Sequence, residues 1–325
     1  MKKILIQLLT CILLLFVVTG CQSVTDSGMK KVAIVQYVEH TSLDTIKAAF
    51  DQEMEELGYV DGENVEYIFR NAQGDNSIAA SITQTFVAEE PDVIMAIATP
   101  VAQSVASLSD TTPIVFAAVT DPIASQLTSS LEHPDKNITG TSDEIQVDLI
   151  LDKAMEIDPD LKTLGVIYNK GETNSVTNIE KAKTYAQEHD LDIVEATVTN
   201  VNEVQSAIDV LASQCDAVFA PNDNTVASAM NVVGNACVKA DIPLYVGADS
   251  MVQDGGFLSV GINYEELGRE TARMVDQILK GTSVSDIPVK VFKEDLNIYV
   301  NQDVLNDLKI QLPESILNDK SLEMI

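Results

Sequence analysis

Six short polar clusters stand directly after apolar runs of the sequence, and their residue types could bind a small charged molecule. They lie at residues 39–42, 99–100, 120–122, 172–175, 221–224 and 246–249. Hydroxyl and amide groups, together with free N–H groups at a helix start, can hold a carboxylate. A buried aspartate such as Asp121 or Asp249 needs a partner, which the ammonium group of a ligand would supply.

Each of these residues has a simpler interpretation when it is taken alone, because Ser, Thr, Asn and Asp are the common N-cap residues of helices. A shared binding site is favoured by the position of the clusters. All six follow predicted strands, and open α/β sheets bind ligands beyond the carboxyl ends of their strands.

The elements that must position these clusters alternate between strands and helices. Predicted strands lie at 32–37, 65–69, 93–98 and 114–118, and again at 164–168, 193–197, 217–220 and 244–247. Predicted helices lie at 43–57, 78–89 and 101–108, and again at 175–189, 201–213 and 225–240. This alternation predicts an α/β protein with two similar doubly wound parallel sheets, and we expect the first four strands to be buried.

The remaining elements are too few for a third domain, so we expect them to extend the two lobes. They are a helix at 265–279, strands at 288–292 and 296–300, and a helix at 304–308. The chain would cross between the lobes near 140–142, 261–264 and 291–295, which makes a three-segment hinge. The N-terminal lobe would comprise residues 31–140 and 262–292, and the C-terminal lobe residues 141–261 and 293–325.

The first residues have the pattern of an export signal. Lys2 and Lys3 precede an apolar run at 4–18, and small residues precede Cys21. The run is shorter than the roughly 20 residues of a membrane span, although an uncleaved anchor helix is an alternative. Residues 18–21 resemble the lipobox of bacterial lipoproteins, which implies a signal peptide at 1–20, acylation of Cys21 and a tether at 21–30.

The charge of the chain limits its partners. It has 20 basic and 50 acidic residues and a net charge of −30. Such a field repels nucleic acid and anionic lipid, so a covalent membrane anchor suits this chain better than a basic patch. The acidity is also explained by solubility alone.

Cys215 and Cys237 do not make a zinc site, because the sequence has no clustered histidines beside them. They form either a disulfide or two thiols.

An enzymatic site is not expected. Glu39, His40 and Ser42 have the residue types of a hydrolase, but near-consecutive loop residues rarely adopt the geometry of nucleophile, base and orienting group. The sequence contains neither a nucleophile elbow nor a Walker-type phosphate loop, so we expect no catalytic residue, cofactor or metal.

Several longer motifs resemble one family. They are IVQYVEHTSLD (34–44), IATPVAQS (97–104), FAAVTDP (116–122), ITGTSD (138–143), IYNKGETNS (167–175), FAPNDN (219–224) and GINYEELG (261–268). From about residue 31 to residue 313 the chain resembles the type I periplasmic-binding-protein fold. More narrowly, it is similar to the substrate-binding lipoproteins of ABC transporters assigned to tryptophan, tyrosine and phenylalanine uptake.

The resemblance implies a monomeric, extracytoplasmic, lipid-anchored protein that closes two lobes around an amino acid and presents it to an ABC permease. The residues expected to hold the ligand carboxylate are Thr99, Ser142, Asn174 and Ser175. The candidates for its ammonium group are Asp121, Asp223 and Asp249. Glu39 and His40 would line the near lobe, and Asn224 and Tyr264 would shape the side-chain pocket.

Two other functions stay open at this point. The chain has no tryptophan and is only 5% aromatic, which weakens the argument for an aromatic ligand. The same fold could bind a sugar or a nucleoside. A surface adhesin or receptor that delivers no solute is a further alternative.

Overall fold

Apolar runs form the strands of two separate sheets in the computed structural model, which describes residues 28–109, 111–294 and 296–325. The strands of the first sheet are β1 (Lys30–Gln36), β2 (Val65–Asn71), β3 (Val93–Ile97), β4 (Ile114–Ala117), β5 (Ile138–Ser142) and β11 (Lys290–Val291). Those of the second are β6 (Thr163–Asn169), β7 (Asp192–Val198), β8 (Ala217–Ala220), β9 (Leu244–Val246), β10 (Leu258–Gly261), β12 (Asn297–Val300) and β13 (Leu322–Met324).

The strand orders are β11-β5-β4-β3-β1-β2 in the first sheet and β13-β12-β10-β9-β8-β6-β7 in the second. Every neighbouring pair is parallel except β10 and β12, which run antiparallel. The prediction of an α/β protein with two parallel-sheet lobes is confirmed.

Helices connect the strands and cover both sheets. In the first half of the chain they are α1 (Thr41–Glu56), α2 (Asn76–Glu89), α3 (Thr99–Leu108), α4 (Val147–Ile157) and α5 (Thr173–Glu188). They continue with α6 (Val204–Leu211), α7 (Asn224–Ala227), α8 (Met230–Lys239), α9 (Asp249–Gln253), α10 (Tyr264–Leu279), α11 (Gln302–Asp307) and α12 (Glu314–Leu317). Short 3₁₀ turns lie at Val201–Glu203 and Val284–Asp286.

Three local predictions were wrong. The strand at 65–69 is not buried, because β2 is the edge strand of its sheet and Phe69 is 41% exposed. The helix predicted at 225–240 is two helices, α7 and α8. Residues 140–142 do not cross between the lobes, because they lie inside β5, where Thr141 and Ser142 pair with β11.

The chain passes between the sheets after β5, between β10 and α10, and between β11 and β12. Accordingly, α10 lies in the first lobe, where it packs against α1. Among the described residues, no helix is long and apolar enough to span a membrane. The predicted export signal, Cys21 and most of the tether lie outside those residues.

The contact between α1 and α10 depends on Gly268, which lies in the middle of the buried face of α10. A Cβ atom at this position would lie 2.5 Å from the carbonyl oxygen of Ile46 and 2.9 Å from the Cβ of Ala49. Both contacts are shorter than packed atoms tolerate, so a side chain here would push the two helices apart.

We expect Gly268→Leu to lower the free energy of unfolding by about 1–3 kcal/mol through overpacking. The matched control is Gln277→Leu, on the exposed side of the same helix, which should stay within about 0.5 kcal/mol of wild type. Urea denaturation of the three proteins measures the effect. Equal stability of both variants would show that α1 and α10 do not pack as described.

Candidate functional site

The carboxyl ends of the two sets of strands face each other across a cleft that contains a cavity. The empty space at the cavity, including the part that is open to solvent, is about 330 Å³. Residues of the first lobe and hinge that line it are His40, Ser42, Leu43, Thr99, Ala118, Thr120, Asp143 and Tyr264. Those of the second lobe are Asn174, Asn222, Asn224, Ala227 and Met251. The strand-end clusters of both sheets therefore contribute to one site.

Five of the residues predicted from the sequence line this cavity, and they come from both lobes. They are His40, Thr99, Asn174, Asn224 and Tyr264. The polar groups of three other predicted residues point elsewhere. Glu39 is exposed, the Ser142 hydroxyl donates to the carbonyl of Thr120, and the Ser175 hydroxyl donates to Asp223.

None of the three aspartates predicted to hold an ammonium group lines the cavity. Asp121 accepts hydrogen bonds from the N–H groups of Ile123 and Ala124 and borders a more open recess. Asp223 is fully buried and caps α7 through the N–H of Val226, while Asp249 accepts from the N–H of Ser250. Asp223 is thus occupied as a helix N-cap, and Asp121 is occupied by the N–H groups of the turn that follows it.

The acid that does line the cavity is Asp143, which sequence reasoning missed. It directly follows β5 and ends the ITGTSD motif, one residue beyond the predicted Ser142. It is 5% exposed and accepts hydrogen bonds from Tyr264 Oη at 2.9 Å, Asn222 Nδ2 at 2.7 Å and Thr120 Oγ1 at 3.1 Å. The first lobe, the second lobe and the start of α10 therefore each contribute a donor to this carboxylate.

Burial raises the pKa of Asp143 to about 6, and the three donors oppose this rise. In the described parts of the chain, Asp143 takes part in no salt bridge. A buried carboxylate with hydrogen bonds but without a cation is suited to receive one from a ligand.

A second pair of buried acids lies behind the cavity wall. Glu172 accepts from Asn224 and Thr225, and Asp223 accepts from Asn169 and Ser175. Burial, and then the neighbouring charge of Asp223, raises the pKa of Glu172 to about 8, and burial also raises the pKa of Asp223. Neither acid lines the cavity, so we assign the pair to holding the start of α7 in place.

Helix starts supply the opposite polarity. α1, α3 and α5 each begin at the cavity, and none has a side-chain cap on its free N–H groups. Beside them, Thr99 Oγ1 and Asn174 Oδ1 are buried without a hydrogen-bond partner among the described residues. The uncapped helix starts and the Thr99 hydroxyl, which can donate, together indicate a place for an anionic group, whereas the Asn174 oxygen can only accept a hydrogen bond.

Hydrogen bonds connect the two lobes across the cleft. Thr41 Oγ1 donates to Asp254 Oδ2 at 2.6 Å, and Asn222 Nδ2 donates to Thr120 Oγ1 at 2.8 Å. The hydroxyls of Ser42 and Ser250 lie 2.5 Å apart. Each bond joins one lobe to the other, so this is a closed arrangement of the two lobes.

Known proteins share this sequence and this arrangement. The chain is 36% identical over 322 residues to the tyrosine-binding protein of Clostridioides difficile. This match covers 95% of this chain and 93% of that protein. An ABC domain from Streptococcus pneumoniae in complex with L-Trp is 35% identical to this chain and superposes with a TM-score of 0.86. The match covers 91% of this chain and 99% of that chain.

A ligand-free, open structure of a substrate-binding protein with adhesive properties from Clostridium difficile is 38% identical but superposes less well. Its TM-score is 0.67, with 91% of this chain and 99% of that chain covered. Since the sequence identities are similar, we attribute the difference in TM-score to the angle between the lobes. The closed arrangement inferred from the cross-cleft hydrogen bonds agrees with this comparison.

A whole family of proteins matches this chain across both lobes. The family described as ABC transporter substrate binding protein matches residues 31–322, which include strands of both sheets and every residue that lines the cavity. This chain belongs to the family of ABC transporter substrate-binding proteins.

Proposed function

We propose that this substrate-binding protein holds an aromatic amino acid in the closed cleft and presents it, outside the cytoplasm, to an ABC permease. The observation that carries the proposal is Asp143, a buried acid without a cation in a cavity that also contains uncapped helix starts. A zwitterionic ligand complements both features at once. The family is one of binding proteins, so no reaction is required of the site.

The ammonium group of the ligand is assigned to Asp143. Its carboxylate is the acidic group of the cavity, and Tyr264, Asn222 and Thr120 fix its orientation. The unpartnered Asn174 Oδ1 is a further acceptor on the opposite wall. A charge-assisted hydrogen bond in such a buried site is stronger than one in water.

The carboxylate of the ligand is assigned to the starts of α3 and α5. The hydroxyl of Thr99 is buried, has no partner among the described residues and can donate. Ala98, which precedes α3, has φ 86° and ψ 153°, a backbone conformation that costs about 1–3 kcal/mol. Such strain is found at ligand sites, where it orients a helix start toward the bound group.

The side chain of the ligand is assigned to the apolar part of the cavity, formed by Leu43, Ala118, Ala227 and Met251. An aromatic ring suits this lining, and two relatives at 35% identity or more support it, one named for tyrosine and one in complex with L-Trp. The scarcity of aromatic residues does not contradict this assignment, because aliphatic side chains can enclose a ring by burial alone.

We further propose that Cys21 is acylated and anchors the mature chain to the outer face of the cell membrane. The sequence has a short apolar run, then small residues and then the cysteine, which is the order that a lipoprotein signal requires. Two or more acyl chains would hold the protein stably, since each buried CH₂ contributes about 0.8 kcal/mol.

The proposed ligand is tested by calorimetric titration of the purified protein with the twenty amino acids and common sugars. We expect tyrosine or tryptophan to bind, and Asp143→Asn to weaken the affinity by about 100-fold through loss of a buried charge pair. Asp121→Asn is the matched control and should change the dissociation constant by no more than about 3-fold. Binding of sugars alone, or full affinity in Asp143→Asn, would contradict the proposal.

The raised pKa of Asp143 predicts a pH dependence of binding. Only the ionised carboxylate pairs with an ammonium group, so affinity should be constant well above pH 6 and fall as the pH drops through about 6, by up to tenfold per unit. Asp249, whose pKa burial also raises to about 6, provides the control.

Asp249→Asn should keep this pH slope, and Asp143→Asn should lose it, in titrations between pH 5 and pH 8. Glu172 and Asp223 are unchanged in both variants, so their contribution cancels in the comparison. If the pH dependence of affinity were lost in Asp249→Asn and kept in Asp143→Asn, the ammonium group would be assigned to Asp249 instead.

The anchor is tested by growing cells with an alkyne-labelled fatty acid and fractionating them. We expect the wild-type chain to carry the label and to sediment with membranes, and Cys21→Ala to appear unlabelled in the soluble fraction. Cys215→Ala should behave as wild type. Labelled, membrane-bound Cys21→Ala protein would exclude Cys21 as the acylated residue.

A further inference from the structure

A chain of hydrogen bonds runs from the buried acid Glu172 through Asn224 to His40 on the opposite lobe. Glu172 Oε2 accepts from the backbone N–H of Asn224 at 3.1 Å and from its Nδ2 at 2.5 Å. The Asn224 amide is thereby fixed, because Oε2 already accepts from the backbone N–H of the same residue and its NH₂ group faces that oxygen. Its Oδ1 then faces His40 Nε2 at a distance of 3.3 Å.

This arrangement determines which ring nitrogen of His40 carries the hydrogen. A neutral imidazole has one donor and one acceptor nitrogen, and an amide oxygen can only accept. Nε2 is therefore the donor to Asn224, and Nδ1 keeps a free lone pair. Within the described parts of the chain, no group donates to Nδ1.

The ring is neutral near pH 7 because burial lowers the pKa of His40, although Asn224, Asp44 and Asp254 act in the opposite direction. His40 lines the cavity, so its ring is adjacent to bound ligand. A neutral ring with an unused acceptor is the kind of group that can recognise a donor on that ligand.

The order of strands gives the position of His40 relative to the rest of the site. Asp143 follows β5, Thr99 follows β3 and His40 follows β1, and in the sheet these strands stand in the order β5-β4-β3-β1. Neighbouring strands are about 4.8 Å apart, so β5 and β1 are separated by about 14 Å. An amino acid whose ammonium group binds Asp143 and whose carboxylate binds near Thr99 would extend its side chain toward His40.

We propose that His40 determines specificity: its Nδ1 accepts a hydrogen bond from a donor on the aromatic side chain, the hydroxyl of tyrosine or the indole N–H of tryptophan, and so disfavours phenylalanine. The inference rests on the proposed function and adds the chemistry of the side chain to it. Glu172, which lies behind the cavity wall, is a positioning residue, since it fixes the tautomer of His40 through the Asn224 amide.

Phenylalanine is disfavoured because its side chain leaves the Nδ1 acceptor of His40 without a hydrogen bond. In a closed cleft, a ligand without a donor displaces water from Nδ1 and returns no hydrogen bond. Sites built to bond a polar group of the substrate reject analogues that lack it far more strongly than apolar pockets reject a change in size. The apolar lining from Leu43, Ala227 and Met251 alone would not separate the three aromatic amino acids in this way.

The test is calorimetric titration of the purified chain with tyrosine, tryptophan and phenylalanine. We expect wild-type protein to bind phenylalanine at least about 10-fold more weakly than the better of the other two. His40→Leu, which has no acceptor, should bring the ratio to within about 2-fold by weakening the donor-bearing ligand. His40→Asn, whose Oδ1 can stand where Nδ1 stood, should retain most of the discrimination.

Glu172→Gln tests the positioning role. Releasing the Asn224 amide should reduce the ratio between phenylalanine and the better ligand, whereas a purely structural defect would weaken all three ligands equally. Thermal unfolding of each variant identifies any that do not fold, and His40→Asn keeps the test decisive if His40→Leu is one of them.

Three results would overturn the inference. The first is a wild-type protein that binds phenylalanine as tightly as the better of tyrosine and tryptophan. The second is a His40→Leu variant with the same affinity ratio as wild type. The third is a folded His40→Asn variant in which this ratio is near 1. If wild-type protein binds none of the three ligands, the proposed function fails together with the inference. Binding of phenylalanine as tight as that of the better of tyrosine and tryptophan would overturn only the specificity role of His40.

Discussion

The carboxylate of Asp143 is surrounded by hydrogen-bond donors from both lobes, yet no cation of the protein lies beside it in the described part of the chain. Such a group is expensive to bury in its charged form, and its raised pKa expresses that cost. A ligand that brings an ammonium group removes the cost only when the cleft is closed around it. The position of this one charge therefore connects recognition of the ligand to the arrangement of the lobes.

Closure can then be understood as a shift in population between two arrangements. The cross-cleft bonds of Ser42 with Ser250 and of Thr41 with Asp254 involve groups that water can satisfy equally well when the cleft is open, so they favour closure only slightly. Ligand contacts from both lobes exist only in the closed form, and a ligand shifts the equilibrium by its difference in affinity for the two forms. The better superposition on the L-Trp complex than on the open relative agrees with this account.

The architecture was predictable because strand and helix periodicities are local properties of the sequence. The position of β2 at the edge of its sheet was not predictable, because the exposure of a strand depends on which other strands flank it. The strand-end argument identified the correct loops, including those of His40, Thr99 and Asn174. Ser142 was predicted from the resemblance of the ITGTSD motif to the family, and a motif alone could not decide that the adjacent Asp143 lines the cleft instead. Nor could it separate ligand acids from caps, because Asp223 serves α7 through contacts that only the folded chain defines.

The central claim, that one zwitterion joins both lobes through Asp143 and the helix starts, is tested most directly by a crystal structure of the protein grown with L-tyrosine. The account predicts the ammonium nitrogen within hydrogen-bond distance of the Asp143 carboxylate and the ligand carboxylate at the start of α3, beside Thr99. A ligand bound in the reverse orientation, or in the recess near Asp121 while Asp143 contacts only protein, would contradict it.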